Sequence, residues 1–169
     1  MRRVVWSNAT LIAVAASYGI QIGAGVFALA VVGRVVSAAP PRSLALLEGP
    51  YRYDSSAFWQ IMPAITGALF IATLIANWRT RRRVLLLSAF ILFALGGVVS
   101  TTWLGSLYAD FSSIGYQDTV DPALQGKAAL WYTADWAARC GDALGGFLLL
   151  VALTRPPLIN TGVSTETTR

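Results

Sequence analysis

The sequence contains no histidine, a single cysteine and few charged residues, and each shortage excludes a class of protein. Without histidine the chain lacks the ligands of His-bound haem, of the usual zinc sites and of the two-histidine iron site, and it lacks the base of a Ser-His-Asp triad. One cysteine, Cys140, excludes an internal disulfide framework and a paired-cysteine redox centre. Charged residues make up 12% of the sequence, against roughly 25% in soluble domains, which excludes an ordinary soluble domain or a disordered chain.

Four long apolar runs occupy most of the sequence, at about residues 10–34, 57–78, 84–107 and 132–154. A hydrocarbon core of about 30 Å is crossed by about 20 helical residues, and each run is long enough. The first run is also too long for the core of a signal peptide, which has about 7–15 residues. The sequence therefore predicts an all-α, integral membrane four-helix bundle in residues 1–154, followed by a disordered tail in residues 155–169.

The positive charges are distributed unequally between the two sides of the predicted bundle. With four spans, the side that carries both termini holds a single acid, Glu166, and eight of the 13 basic residues: Arg2, Arg3, Arg79, Arg81, Arg82, Arg83, Arg155 and Arg169. Short loops rich in arginine stay on the cytoplasmic side of a membrane. We therefore expect a multi-pass protein of the cell membrane with both termini in the cytoplasm, and no nucleic-acid partner for the net charge of +5.

Three charged residues lie within the fourth apolar run. Asp135, Arg139 and Asp142 are spaced four and three residues apart, which places them on one face of a helix. A charge near the centre of a membrane helix costs about 2.5–3.5 kcal/mol on insertion scales, so an arginine there is expected to pair with the acids. The spacing predicts a functional polar site formed by these residues. Two alternatives stay open: a structural pairing that fixes the helix register, and a helix that starts late and leaves the charges in the outer aqueous layer.

Other polar and aromatic residues are predicted at a similar depth, in the outer half of the membrane. Candidate ligand-binding residues from the four spans and the outer aromatic residues are Gln21, Thr66, Thr101, Trp103 and Trp136. The inner half of each run is mostly apolar. These positions predict an outward-facing polar pocket with aromatic walls above an apolar floor. The outer loops, residues 37–56 and 110–127, are expected to cover it either as a lid or as a structural cap.

Two pairs of glycines suggest which spans are neighbours. Gly19 and Gly23 form a GxxxG pair on the first span, and Gly141 and Gly145 form another on the fourth. Such pairs let two helix backbones approach each other closely. We therefore expect the first and fourth spans to pack together.

Three stretches resemble the anthrone oxygenase-like family of small four-helix membrane proteins. The first runs from Pro40-Pro41-Arg42-Ser43-Leu44 through Gly49-Pro50 to Phe58-Trp59 and Pro63, the second is Asn77-Trp78 with the basic turn at residues 79–83, and the third covers residues 131–142. The resemblance implies oxidation of a polycyclic aromatic substrate by molecular oxygen, without a metal or a bound organic cofactor. Asp142 or Asp135 would then deprotonate the substrate, and Arg139 would stabilise the oxyanion.

The sequence is compatible with three functions. The first is a membrane protein that binds or oxidises a lipophilic aromatic or quinone-like molecule, and whether it is an enzyme stays open. The second is a non-enzymatic interaction subunit whose charged face on the fourth helix meets a membrane partner or a second copy of the chain. A small transporter ranks third because no inverted repeat or broken helix is visible.

Overall fold

The computed structural model of the chain describes residues 2–156 and contains only helices and connecting segments in that part. The first span combines α1 (Arg2–Phe27), a π-helical segment (Ala28–Gly33) and α2 (Arg34–Val36). The second span is α3 (Ser56–Asn77), and the third combines α4 (Arg83–Val99), a π-helical segment (Ser100–Leu104) and α5 (Gly105–Ser112). The fourth span is α6 (Pro122–Thr154), and a 3₁₀ helix (Arg42–Leu47) lies between the first two spans.

All four helical segments are long and apolar enough to cross a membrane, which confirms the predicted all-α bundle. Large apolar side chains, among them Ile12, Ile75, Phe147 and Leu150, are exposed on its outside. Such a surface is stable against lipid tails and not against water. The chain is therefore a multi-pass membrane protein.

The helices of the third and fourth spans extend beyond the predicted spans. The third reaches Ser112 and the fourth begins at Pro122, so only residues 113–121 of the predicted polar loop are left outside the helices. The side chain of Asp121 accepts a hydrogen bond from the backbone N–H of Ala123 (2.8 Å), and proline is favourable in the first helical turn. Pro122 therefore starts a helix, although its sequence context resembled a loop. Most of the tail predicted for residues 155–169 lies outside the described residues.

The spans alternate in direction around a closed ring in which each packs against two others: the first and third spans both pack against the second and the fourth. We call the end with the turn at residues 78–82 the turn end, and the end with residues 37–55 and 113–121 the loop end. Buried and partly buried hydrogen bonds join the segments at the turn end. Ser7 Oγ donates to Asn77 Oδ1 (2.5 Å), while Arg82 donates to Asn8 Oδ1 and to the carbonyl of Arg155 (2.6 Å each). Burial lowers the pKa of Arg82 from its ordinary value.

The loop end is closed by the two connecting segments, which bind each other. The backbone N–H of Asp121 donates to the carbonyl of Pro40 (3.0 Å), and that of Tyr116 donates to Glu48 Oε1 (2.6 Å). Gly115 has a φ of +78°, which favours glycine, and a Cβ there would lie 3.1 Å from Glu48 Oε1. The segments thus form a cap over the bundle.

The buried apolar residues form two separate clusters, one toward each end. The turn-end cluster consists of Leu11, Val14, Tyr18, Phe70, Leu74, Leu86, Ala89, Leu149 and Ala152. The loop-end cluster consists of Val36, Leu44, Phe111, Leu124 and Ala128, with Val32, Leu47, Tyr108 and Trp131 packed against it. Leu44 belongs to the 3₁₀ helix, so the connecting segment is part of this second core.

The first and fourth spans are neighbours, as the glycine pairs predicted, but three of the four predicted glycines play no part in the contact. A Cβ at Gly19, Gly23 or Gly141 would meet nothing within 4 Å. The close approach occurs instead at glycines outside the pairs, Gly25 and Gly33, and at Gly145, where a Cβ would lie 3.1 Å from the ring of Tyr18. Spacing alone did not show which helix face was turned inward.

Candidate functional site

A cavity of about 820 Å³ lies between the two apolar clusters, and all four spans line it. Tyr18 and Phe93 bound it toward the turn end, where they pack in or against the turn-end cluster. Val36, Tyr108 and Trp131 bound it toward the loop end, where they belong to or pack against the loop-end cluster. The cavity is therefore the space that the two cores leave between them.

Helix irregularities in three of the spans coincide with the cavity. Both π-helical segments, Ala28–Gly33 and Ser100–Leu104, contribute lining residues, and so does Pro63, the proline inside α3. Proline and π-helical turns interrupt the regular backbone hydrogen bonding, and π-helical turns are frequent at functional sites. Threonine hydroxyls satisfy carbonyls next to the second segment: Thr101 donates to Gly97 (2.9 Å) and Thr102 to Val98 (2.7 Å). The regular α-helical geometry of three spans is therefore interrupted at the level of the cavity.

The three charged residues of the fourth span form one ion-paired group beside the cavity. Arg139 donates through Nη2 to Asp135 Oδ1 (3.0 Å), and its Nη1 lies 2.7 Å from Asp142 Oδ2. The side chains are 19%, 14% and 13% exposed for Asp135, Arg139 and Asp142, and all three line the cavity. One guanidinium thus bridges two carboxylates, and the group, which we call the Asp-Arg-Asp triad, carries a formal charge of −1 when all three residues are ionised.

Glycines on two other spans make space for this triad. A Cβ at Gly25 of the first span would lie 2.9 Å from Nη1 of Arg139. A Cβ at Gly96 of the third span would lie 3.2 Å from Oδ1 of Asp142. The charged groups are therefore in contact with the backbones of neighbouring helices, which keeps them away from lipid.

Tyr18 is a member of the site that sequence reasoning missed. Its hydroxyl donates to Asp142 Oδ1 (3.0 Å), and its ring packs edge-on against Phe70 and Phe93. The predicted aromatic wall includes only residues on the outer side, and Tyr18 lies in the middle of its span. A usable signal was present: Tyr18 is three residues before Gln21, on the same side of the helix.

Gln21 and Thr66, both predicted as ligand-binding residues, contact each other, but only Gln21 lines the cavity. Gln21 Nε2 donates to Thr66 Oγ1 and to the carbonyl of Met62 (3.4 Å), while Ser17 Oγ lies 2.6 Å from Thr66 Oγ1. Thr66 is fully buried behind this layer. It therefore orients Gln21 and is not itself in reach of a ligand.

Of the other three predicted ligand-binding residues, one lines the cavity and two do not. Thr101 lines the cavity, whereas Trp103 and Trp136 are not among its lining residues. Trp103 is 50% exposed on the outside of the third span, and Trp136 packs edge-on against Tyr132. The aromatic wall consists of other residues: Tyr18, Tyr53, Trp59, Phe93, Tyr108 and Trp131. A tryptophan's position along a helix gave its depth, but not the face on which it lies.

Among the carboxylate and amide oxygens that line the cavity, two remain available to a ligand. Every fully buried side-chain nitrogen or oxygen in residues 2–156 has a hydrogen-bond partner. Oδ2 of Asp135 and Oε1 of Gln21 have none in that part of the chain, so both oxygens are accessible. Since both residues line the cavity, each can accept a hydrogen bond from a molecule inside it. No group of three or more metal-ligating acids or cysteines occurs among the described residues.

Comparisons of the chain with protein-family models, with curated proteins and with solved structures found no match.

Proposed function

We propose that the protein binds a lipophilic aromatic molecule that carries a hydroxyl or carbonyl group, such as a hydroxylated polycyclic aromatic or a quinone-like compound. One observation carries this proposal: the Asp-Arg-Asp triad faces a cavity inside the bundle. A triad that served only to fix helix register would need no cavity of about 820 Å³ beside it. Ionisable groups that line a cavity within a membrane protein are typical of functional sites.

The size and wall of the cavity fit such a ligand. Ligand pockets generally have volumes of about 300–1,000 Å³, and this cavity lies within that range. Its walls are mainly apolar and aromatic, with Trp59, Phe93 and Trp131 on three different spans. Flat rings pack favourably against such side chains in stacked or edge-on arrangements. The cavity therefore suits a flat apolar body better than an ion or a sugar.

The polar groups suit a ligand that can give up a proton. Oδ2 of Asp135 accepts a hydrogen bond from a ligand hydroxyl and then its proton, and Arg139 stabilises the negative charge left on the ligand oxygen. An oxygen-dependent oxidation of the bound aromatic, as the resemblance to the anthrone oxygenase-like family implies, is the reaction we propose to test first. Oxygen consumption that depends on the aromatic compound and on the triad would support it.

The alternative of an interaction subunit has less support. It needs the charged face of the fourth span to contact a partner helix, and the three charged side chains are only 13–19% exposed. Gly25 and Gly96 of neighbouring spans already cover them. A partner would have to bind another surface of the bundle.

For location, we propose the cell membrane, with both chain termini in the cytoplasm. Eight basic residues, all arginine, lie on the side of the termini, against five basic residues elsewhere, and such an excess marks the cytoplasmic side. A reporter protein that fluoresces only in the cytoplasm, fused to the C-terminus, is expected to be bright. A dark fusion, together with an active periplasmic or extracellular reporter at the same position, would reverse the orientation.

The binding proposal is tested with alizarin, a flat dihydroxyanthraquinone whose visible absorption shifts on deprotonation. We expect saturable binding to the purified protein in lipid nanodiscs, with the absorption of the deprotonated dye. Arg139→Gln should abolish this binding. Arg42→Gln is the matched control, because Arg42 forms only an exposed ion pair with Asp118 at the loop end.

Removing the arginine alone is also expected to destabilise the bundle, so a neutral variant is needed. Asp135→Asn combined with Arg139→Gln and Asp142→Asn keeps the size and hydrogen-bonding capacity of the triad without its charges. We expect this variant to fold and not to bind alizarin. Equal affinity of the unmodified protein and the neutral variant would refute the proposed function.

A further inference from the structure

The cavity has an exposed edge that follows one span. Five lining residues of the third span are exposed: Ala94, Gly97, Val98, Thr101 and Gly105. All lining residues contributed by the other described segments are buried or half-buried. The cavity therefore reaches the surface of the bundle beside the third span.

The side of the third span that faces the fourth is closed. Gly96 lies against Asp142, with only 3.2 Å from a Cβ at that position to the carboxylate. Leu104, which also lines the cavity, is buried. The exposed edge must consequently lie on the opposite side, toward the second span.

The second and third spans touch near the turn-end cluster and separate toward the loop end. Phe70 packs against Phe90 (5.6 Å between ring centres), and a Cβ at Gly67 would lie 3.7 Å from the ring of Phe93. These two contacts define the antiparallel register of the second and third spans. In the same register, Pro63 is level with Gly97 and Trp59 is level with Thr101, both nearer the loop end. All four of these residues line the cavity, so there the cavity itself separates the two helices.

Neither end of the bundle offers an equivalent route. The turn-end cluster fills the bundle on one side of the cavity, and the loop-end cluster fills it on the other. The connecting segments above the loop-end cluster are joined by the Glu48–Tyr116 hydrogen bond and by the contact of Asp121 with Pro40. The route that remains lies in the membrane-spanning part, between two helices.

We infer that the ligand enters sideways from the lipid bilayer, through a portal between the second and third spans lined by Trp59, Pro63, Gly97, Val98 and Thr101. The inference rests on the proposed function and specifies its substrate class: a molecule dissolved in the membrane, flat enough to pass between two helices. The aromatic ring of the ligand first contacts Trp59 and Pro63. The polar group of the ligand then reaches Gln21 and the triad deeper inside the bundle. A water-soluble metabolite would have no such path.

Gly97→Leu tests the portal directly. A Cβ at Gly97 would meet nothing within 4 Å, so the leucine side chain extends into open space without disturbing the packing. Gly23→Leu is the matched control, because Gly23 has equally free surroundings on the first span and does not line the cavity. Stopped-flow absorption in nanodiscs should show that Gly97→Leu slows both association and dissociation of alizarin by an order of magnitude or more. Gly23→Leu should leave both rates unchanged.

The source of the ligand is tested in the same assay. If entry is from the bilayer, the association rate follows the mole fraction of alizarin in the lipid when the aqueous concentration is held constant. Glu48→Ala, which loosens the loop-end cap, should not change the rate.

The outcomes separate the two proposals. A Gly97→Leu protein that associates at the unmodified rate, or a Glu48→Ala protein that associates faster, overturns the portal and leaves the binding site intact. A loss of affinity in Gly97→Leu without slower association also overturns it, because the leucine then occupies the site and not the passage. Absence of alizarin binding by the unmodified protein overturns both proposals.

Discussion

The guanidinium of Arg139 lies directly against the backbone of Gly25, so closely that a methyl group at Gly25 would be 2.9 Å from Nη1. This contact joins the first and fourth spans at the level of the cavity. It also fixes the guanidinium between Asp135 and Asp142. The position of the charge therefore depends on the absence of a side chain on another helix.

Gly25→Ala should displace Arg139 and loosen the triad. Overpacking of this kind typically costs about 1–3 kcal/mol, and we expect a lower melting temperature in detergent together with weaker alizarin binding. Gly23→Ala is the control, because a Cβ there meets nothing within 4 Å. Equal melting temperatures of the two variants would show that the close approach has no energetic consequence.

Removing the charge of Arg139 alone should be more harmful than removing all three charges. Arg139→Gln leaves two partly buried carboxylates without a counter-charge, and breaking a buried pair in this way costs about 3–5 kcal/mol. Adding Asp135→Asn and Asp142→Asn should restore most of the lost stability but none of the ligand binding. Thermal unfolding in detergent measures the first effect and alizarin titration the second. A triple variant less stable than Arg139→Gln would contradict the pairing argument.

Tyr18→Phe should keep the ring packing and remove only the hydrogen bond to Asp142. Hydrogen bonds between membrane helices contribute about 0.6 kcal/mol on average and up to about 1.7 kcal/mol, so a small fall in stability is expected. Alizarin should bind less tightly because Asp142, and with it Arg139, is held less firmly. Tyr132→Phe serves as the control, since the Tyr132 hydroxyl makes no hydrogen bond within residues 2–156. Identical behaviour of both variants would remove Tyr18 from the site.

Thr66→Val should destabilise the bundle and weaken binding indirectly. The fully buried hydroxyl of Thr66 interacts with both Ser17 and Gln21. Its loss leaves the Ser17 hydroxyl without a partner and leaves Gln21 Nε2 only the longer hydrogen bond to the carbonyl of Met62 (3.4 Å), at a cost of about 1–3 kcal/mol. Gln21 is then held less firmly in its orientation toward the cavity. Thr133→Val is the matched control, because the Thr133 hydroxyl is exposed and bonds only within its own helix. A Thr66→Val protein with unchanged melting temperature would show that the cluster is not structurally important.

The predicted positions of the four spans depended on quantities that a sequence contains directly. Apolar length sets the number of residues that cross a membrane, and the absence of histidine limits the chemistry of the site to carboxylate, guanidinium, amide and hydroxyl groups. The spacing of Asp135, Arg139 and Asp142 was sufficient to predict one charged helix face, because helical periodicity is local. The helix of the fourth span begins at Pro122, ahead of the predicted span, because the side chain of Asp121 caps its first turn.

The sequence by itself determined the class of protein, the positions of its polar residues along each helix and the charges available to its site. The tertiary structure alone decided which helix faces meet: Gly25 and Gly96 lie against the triad, Tyr18 joins it, and Trp103 and Trp136 stay outside the cavity. The physical reason is that depth along a helix follows from counting residues, whereas rotation about its axis follows from packing against helices that are distant in the sequence. The cavity exists because two apolar clusters, each built from several spans, leave the level between them unfilled.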